Sequence, residues 1–238
     1  GRSSLLSRLT NAKVEISSYP YTTREPTPGM FQYQDLQFQI VETPALMEGS
    51  ADGGAWGLQT LAAARNADGL ILMVDLTQDP VEQFSLIMRE LERARILTRE
   101  PKARIEIERK HVGAGLRIIL LGRLINCTLG DLEQLFKGYG IRDATVKIQG
   151  EATMDDVEDA IFEGTVYRPT LLIANKTDVP EAKKRIEQLK SLVGEGMRII
   201  PVSCTAKFGL EKLCPEIFEM IAYCRQSGVP SGISTNAT

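Results

Sequence analysis

The sequence predicts an α/β fold: a mostly parallel sheet covered on both sides by helices, with an inserted small α+β subdomain. Three observations predict it. Short continuous apolar runs recur at Gly69–Val74 (GLILMV), Thr170–Ala174 (TLLIA) and Met197–Val202 (MRIIPV), the pattern of strands buried on both faces. Stretches of helical character separate these runs. From about Arg99 to Arg168 the rhythm breaks into a different set of strands and short helices.

Taken in order, the chain opens at Gly1-Arg2-Ser3-Ser4 and continues with Leu5, Leu6 and Leu9 at helical spacing, so a helix is expected from the first residues. Phe31–Val41 (FQYQDLQFQIV) nearly alternates apolar and polar residues and predicts a half-buried hairpin or strand pair. Helices are expected over Gln59–Ala64, Val81–Ala94, Glu181–Leu192 and Leu210–Cys224. Pro215 falls early in the last of these, where it costs less than in the interior. Within the insert, strands are expected at Arg104–Glu108, Leu116–Leu121 and Thr145–Gln149. Two short helices start at Thr128 and Thr153, each with threonine at the cap and an acidic residue in the first turn. The expected division is 1–98 and 169–225 for the main domain, 99–168 for the insert, and 226–238 for a flexible tail rich in Gly, Ser and Thr.

The apolar fraction of 43% and charged fraction of 25% are those of an ordinary globular protein. A formal net charge of −3 supplies no global attraction to nucleic acid, so DNA is not an expected partner and RNA would need a local patch. Such a patch is sought in Arg99, Lys102, Arg104, Arg109 and Lys110, but Glu100, Glu106 and Glu108 interleave with them; a docking surface and a solvated strand face both fit. Cys127, Cys204, Cys214 and Cys224 form no CxxC pair and His111 is the only histidine, which argues against zinc and for reduced, packed thiols. No apolar run approaches the ~20 residues that span a bilayer, and no basic-then-apolar leader is present, so a cytoplasmic protein is expected.

The best-placed motif is Asn175-Lys176-Thr177-Asp178, directly after TLLIA. Guanine presents two adjacent donors, its ring N–H and its exocyclic amino group, and one carboxylate can accept both. Adenine offers an acceptor at the ring position and would face the lone pairs of Asp178 instead. In this reading Asn175 ties neighbouring loops together and the Lys176 stem covers the base plane. Val202-Ser203-Cys204, after another buried strand, would bring a backbone N–H at Ser203 or Cys204 to the guanine carbonyl.

Ser18-Tyr19-Pro20-Tyr21-Thr22-Thr23, with Pro26, Pro28 and Gly29, resembles the YPFTT…P…G switch of the Obg-like GTPases. The wider chain resembles the developmentally regulated GTP-binding (DRG) branch of that P-loop superfamily, with Glu42–Gly49 (ETPALMEG) as second switch. The resemblance implies a Ras-like G domain that binds GTP and GDP with Mg²⁺, hydrolyses GTP slowly, and works with ribosomes, RNA or a regulatory protein. Carried over, Gly1, Arg2, Ser3, Ser4 and Ala45 would meet the phosphates. Ser3 would ligate Mg²⁺, joined by Thr23 in the triphosphate state, with Thr22 beside it. Glu42 would stand behind a magnesium-bound water.

Against the family pattern, Arg2 stands at the P-loop lysine, Glu42 at an aspartate and Ala45 at a glycine. Leu46 falls where Ras-type enzymes keep a water-positioning glutamine, and an apolar residue there is usual in this branch, so the resemblance implies that hydrolysis is helped by other means. The guanidinium fork is larger than an ammonium seated in a tight cradle. Glu42 extends its carboxylate by about one methylene, on the order of 1.5 Å. Ala45 loses easy access to positive φ, at a cost of roughly 1 kcal/mol wherever that is needed. Weak triphosphate binding is expected, either in a slow GTPase or in a non-hydrolysing binding module. The sequence begins at the last glycine of the P-loop pattern, so the three-layer sheet is expected to lack its first, central strand. A gap in the sheet, as in part of a longer protein, is the adopted expectation; a substitute strand is the other.

Overall fold

The computed structural model describes residues 1–12, 25–54, 56–162 and 164–227. The order of elements is α1 (Arg2–Leu9), β1 (Thr27–Tyr33), β2 (Leu36–Glu42), α2 (Gly57–Asn66), β3 (Leu70–Asp75), α3 (Pro80–Arg93) and β4 (Ile96–Leu97). There follow β5 (Ala103–Arg109), β6 (Leu116–Leu124), α4 (Leu129–Gly138), β7 (Ala144–Ala152), α5 (Met154–Ile161) and β8 (Val166–Tyr167). The chain returns through β9 (Thr170–Asn175), α6 (Ala182–Val193), β10 (Arg198–Val202) and α7 (Leu210–Ser227). Two compact units result, one of Gly1–Arg99 with Arg168–Thr238 and the other of Glu100–Tyr167.

In the first unit β10, β9 and β3 form a parallel sheet in that order, with β9 central. Leu171 through Asn175 are buried without interruption, as a strand covered on both faces requires. Leu171, Ile173, Ile200 and Val202 pack with Leu5 of α1 and with Leu213 and Ile217 of α7. Strand alternation turns Leu72, Val74 and Leu172 to the opposite face, where α3 contacts β3 and α6 packs on α3. Helices therefore cover both sides.

β1 and β2 form a separate antiparallel hairpin, from Thr27↔Glu42 to Tyr33↔Leu36. Its inner face carries Phe31, Phe38 and Tyr33, and the last two meet Phe218 of α7 at centroid distances of 6.4 and 5.7 Å. Among the described residues no strand is paired with both the hairpin and the parallel sheet. The sheet is thus divided into two parts, as expected if its central strand is missing. A cavity of about 960 Å³ opens between Phe38–Glu42 of β2 and Leu70–Met73 of β3.

The second unit is a mixed sheet ordered β5-β7-β6, antiparallel on one side of β7 and parallel on the other. Leu132 and Phe136 of α4 and Val157 and Ile161 of α5 pack on Val146 and Ile148 of β7. Both helices begin with capping boxes: Thr128 and Thr153 accept from the N–H of Asp131 and Asp156, whose carboxylates accept back from the threonine N–H groups. The charged residues of β5 and its flank are partly neutralised in place, Arg104 by Glu106 at 2.9 Å and Lys110 by Glu108. Residues 228–238 lie outside the described residues.

Candidate functional site

The register sets the site. Asp75, Asn175 and Val202 lie level with one another across β3, β9 and β10, so three loops leave the sheet side by side at its carboxyl edge. Open α/β sheets bind ligands at this edge. Asn175 is only 3% exposed, and its Oδ1 accepts from the Cys204 N–H at 3.4 Å, tying two of the loops. Lys176 follows with a left-handed φ of 67°, and its Nζ lies 2.7 Å from Asp75 Oδ2. Thr77 donates to Asp75 Oδ1 through its N–H and its hydroxyl, at 2.9 and 2.7 Å. Burial pushes the Asp75 carboxyl up, but the bonds from Lys176 and Thr77 outweigh it and leave the group below its ordinary value.

Asp178 stands two residues on. Its Oδ1 accepts from Ser203 Oγ at 2.6 Å, and Ser203 Oγ accepts from the Ala206 N–H at 3.0 Å. The Ser203 hydroxyl holds the Asp178 carboxyl below its ordinary range. Ser203 is itself fixed by backbone bonds with Phe208 in both directions, at 3.0 and 3.1 Å. A buried serine thus orients an exposed, ionised carboxylate at the strand edge.

The second group of predicted residues gathers at the N-terminus of α1. Ser3 Oγ donates to Glu42 Oε1 at 2.7 Å, and Arg2 Nη1 donates to Thr43 O at 3.0 Å. Ser4 lies half-buried in the same helical turn. Ala45 lines the 960 Å³ cavity with Thr43 and Leu46, and it does not adopt the left-handed φ that would have strained it. Gly1 joins the two groups. A Cβ on it would come within 2.6 Å of Asn175 Nδ2 and 3.1 Å of Met73 Sδ, so a larger residue would have to displace the buried Asn175 side chain. The cavity reaches Gly1, Arg2 and Ser3, with Glu42 and Asn175 in its wall, but Asp178 and Ser203 do not line it. Thr22 and Thr23, with the rest of Ser18–Thr23, lie outside the described residues.

Three residues that motif reading missed also shape the site. Asp75 was visible only as the polar end of a buried strand. Gln83 of α3 exchanges hydrogen bonds with the Asp75 backbone, accepting from its N–H and donating to its carbonyl, both at 3.0 Å. Glu90 of α3 is completely buried and accepts from the Gly49 and Ala51 N–H groups at 3.2 and 2.8 Å. Its signal was a carboxylate three residues after Ile87 on the face that carries Leu91.

The chain resembles known proteins over most of its length. Residues 1–107 match the family described as 50S ribosome-binding GTPase, and residues 114–222 match the C-terminal region of the same domain. The human developmentally-regulated GTP-binding protein 2 is 30% identical over 222 residues, 93% of this chain and 59% of that protein. An uncharacterized GTP-binding protein of Methanocaldococcus jannaschii is 28% identical over 98% of this chain and 59% of its own length. The developmentally-regulated GTP-binding protein 1 of Xenopus laevis is 25% identical, covering 98% of this chain and 61% of that one. The chain spans about three-fifths of the length of these relatives. The two matches between them take in residues 1–107 and 114–222, which places the chain with the GTPases of that family, beside the developmentally-regulated GTP-binding proteins that it resembles over most of its own length.

Proposed function

We propose that this chain binds guanine nucleotides, with the base against Asp178 and the phosphates toward Gly1–Ser4. The observation that carries the reading is the Ser203–Asp178 bond, which aims a carboxylate beside the Asn175–Cys204 tie. One carboxylate oxygen can accept from Ser203 and still hold a second lone pair, so the group retains acceptors for both guanine donors. Adenine would set an acceptor and a carboxylate against each other, and a site built on such a pair rejects the wrong base strongly. Lys176, pinned by Asp75, would lay its stem along the base plane. The Ser203 and Cys204 N–H groups donate to Phe208 O and Asn175 Oδ1, at 3.0 and 3.4 Å, so neither stands free for the guanine carbonyl, contrary to the expectation from the motif.

At the other end, the N–H groups of the first turn of α1 would meet phosphate oxygens. Ser3 Oγ and the Glu42 carboxylate supply hard oxygen donors 2.7 Å apart, which fits Mg²⁺. Among the described residues no cluster of three or more His, Cys, Asp or Glu could hold a metal unaided, so most ligands would come from phosphate and water. Bound there, the ion would neutralise phosphate charge. Ser3 would ligate it, Glu42 would hold one of its waters, and Thr23 would complete the set in the triphosphate state.

A calorimetric titration with GDP, GTP and ADP in Mg²⁺ tests the reading; equal affinity for ADP and GDP, or no binding of either, would end it. The cytoplasm is the compartment this reading implies, with the ribosome as the partner that the family description suggests. A second reading, a nucleotide-binding module that does not hydrolyse, is favoured by one bond: Arg2 directs its guanidinium to the Thr43 carbonyl in the second switch. Under it, Arg2→Lys with Glu42→Asp and Ala45→Gly raises turnover well above a negligible parent rate; a parent already turning over briskly refutes it.

A further inference from the structure

We infer that α3 is a strut that fixes the second switch segment relative to the base-edge loops, with Glu90 as its positioning residue. This inference rests on the guanine-nucleotide reading for its consequence, though not for its geometry. No reading of the sequence assigned Glu90 or Gln83 a part.

The geometry is specific. Gly49 takes a left-handed φ of 80° immediately before a short 3₁₀ turn, Ser50–Asp52. Successive N–H groups in such a left-handed-to-right-handed passage converge and make a concavity suited to an anion. Here the anion is a side chain of the protein. The fully buried Glu90 carboxylate takes the Gly49 N–H on one oxygen and the Ala51 N–H on the other. Arg93, one turn further along α3, donates to both oxygens of Asp52 and lies 3.8 Å from Glu90. From inside the loop, Ser50 is buried and its Oγ accepts from the Met47 N–H at 2.8 Å.

The loop is closed from the far side as well. A Cβ at Gly57 would come within 2.3 Å of the Ser50 carbonyl oxygen, so α2 can start this close only because position 57 is glycine. The segment after Ala45 is therefore clasped by α3 over three residues and backed by α2.

The other end of the strut is Gln83. It lies seven residues before Glu90, two helical turns and about 10.5 Å along the axis, on the same side of α3. There it grips both backbone polar groups of Asp75, the residue that pins Lys176 at 2.7 Å. One rigid helix thus holds the loop that would contact the γ-phosphate and the loop that would cover the base. The spacing of the two halves of the site is set by α3. Loosening Glu90 leaves Lys176 and Asp178 in place but frees the segment around Ala45, so triphosphate affinity falls while diphosphate affinity holds.

Trp56, the sole tryptophan of the chain, reports on the clasp. It is half exposed and stands at the start of α2, beside Gly57. The test compares the parent with Glu90→Gln and with Asp52→Asn, the second being a surface change that keeps the test alive if the first variant does not fold. Two readouts are taken: Trp56 fluorescence anisotropy without nucleotide, and the ratio of affinities for a non-hydrolysable GTP analogue and GDP. The expected result is lowered anisotropy in both variants and a ratio reduced about tenfold in Glu90→Gln, less in Asp52→Asn, with GDP affinity within about twofold of the parent. Anisotropy and ratio unchanged in a folded Glu90→Gln, or in Asp52→Asn where Glu90→Gln does not fold, overturn the inference. Equal weakening of GDP and the analogue also overturns it, because that is the mark of a merely structural residue. If the parent binds no guanine nucleotide the functional reading fails, and unchanged anisotropy would remove the clasp separately.

Discussion

Replacing Asp178 with asparagine isolates the atom pair on which base recognition depends. In the parent, Asp178 Oδ1 takes the Ser203 hydroxyl at 2.6 Å, and the carboxylate as a whole has about four acceptor sites. Guanine uses two of them. Asparagine keeps one acceptor oxygen, which Ser203 continues to hold in place, and turns an amide N–H₂ toward the site of the second oxygen. One guanine donor keeps a neutral acceptor instead of a charged one, and the other meets a donor. A hydrogen bond to a charged group is worth about ten- to a hundredfold in affinity, so losing one, weakening the other and adding a donor–donor contact predicts a fall of about 1,000-fold for GDP. Xanthine carries a carbonyl in place of the guanine amino group, so the same variant should bind xanthosine diphosphate better than GDP. Titration of parent and variant with GDP and xanthosine diphosphate measures both effects, with circular dichroism to show that the variant folds. A folded Asp178→Asn that binds GDP as the parent does, with no gain for xanthosine diphosphate, refutes the reasoning.

Two further predictions concern pH and the insert. The Ser203 hydroxyl keeps the Asp178 carboxyl below its ordinary value, so the group stays ionised as pH falls through the usual aspartate range, and its contribution is lost only as pH drops through the depressed value. Ser203→Ala removes that bond and should move the acid limb of GDP binding to higher pH; a limb that does not move shows the hydroxyl has no such role. Phe136→Ala removes a fully buried ring from the core of the second unit and should cost about 3–5 kcal/mol in denaturant unfolding of that unit. A cost below about 1 kcal/mol would mean that Phe136 does not anchor it.

Much of the fold was legible because its signals are local. β3, β9 and β10 announce themselves as unbroken apolar runs, since strands covered on both faces have no need of alternation. Thr128 and Thr153 mark helix starts because a cap and its partner lie within four residues. The base-edge loops were legible for the same reason: Asn175, Lys176 and Asp178 sit together in the chain. The division between hairpin and parallel sheet was anticipated only through the family's strand order, since hydropathy says nothing of which strands pair. Gln83 left no trace in the sequence, Asp75 only that of a polar strand end, and Glu90 only that of a carboxylate on the inner face of its helix. Glu90 meets Gly49 across 41 residues, and a carboxylate on a helix reads as solvated until its N–H partners are seen. Ala45 shows the converse: the strain expected at that position depended on a backbone conformation that the chain does not adopt.

The central claim is that one carboxylate, at Asp178, reads two neighbouring donors of a guanine ring. Inosine diphosphate tests it most directly, because it keeps the ring N–H and the carbonyl of guanine and lacks only the exocyclic amino group. If Asp178 accepts from both donors, inosine diphosphate binds the parent chain about ten- to a hundredfold more weakly than GDP, and the difference shrinks in Asp178→Asn. Equal binding of GDP and inosine diphosphate by the parent would contradict the account.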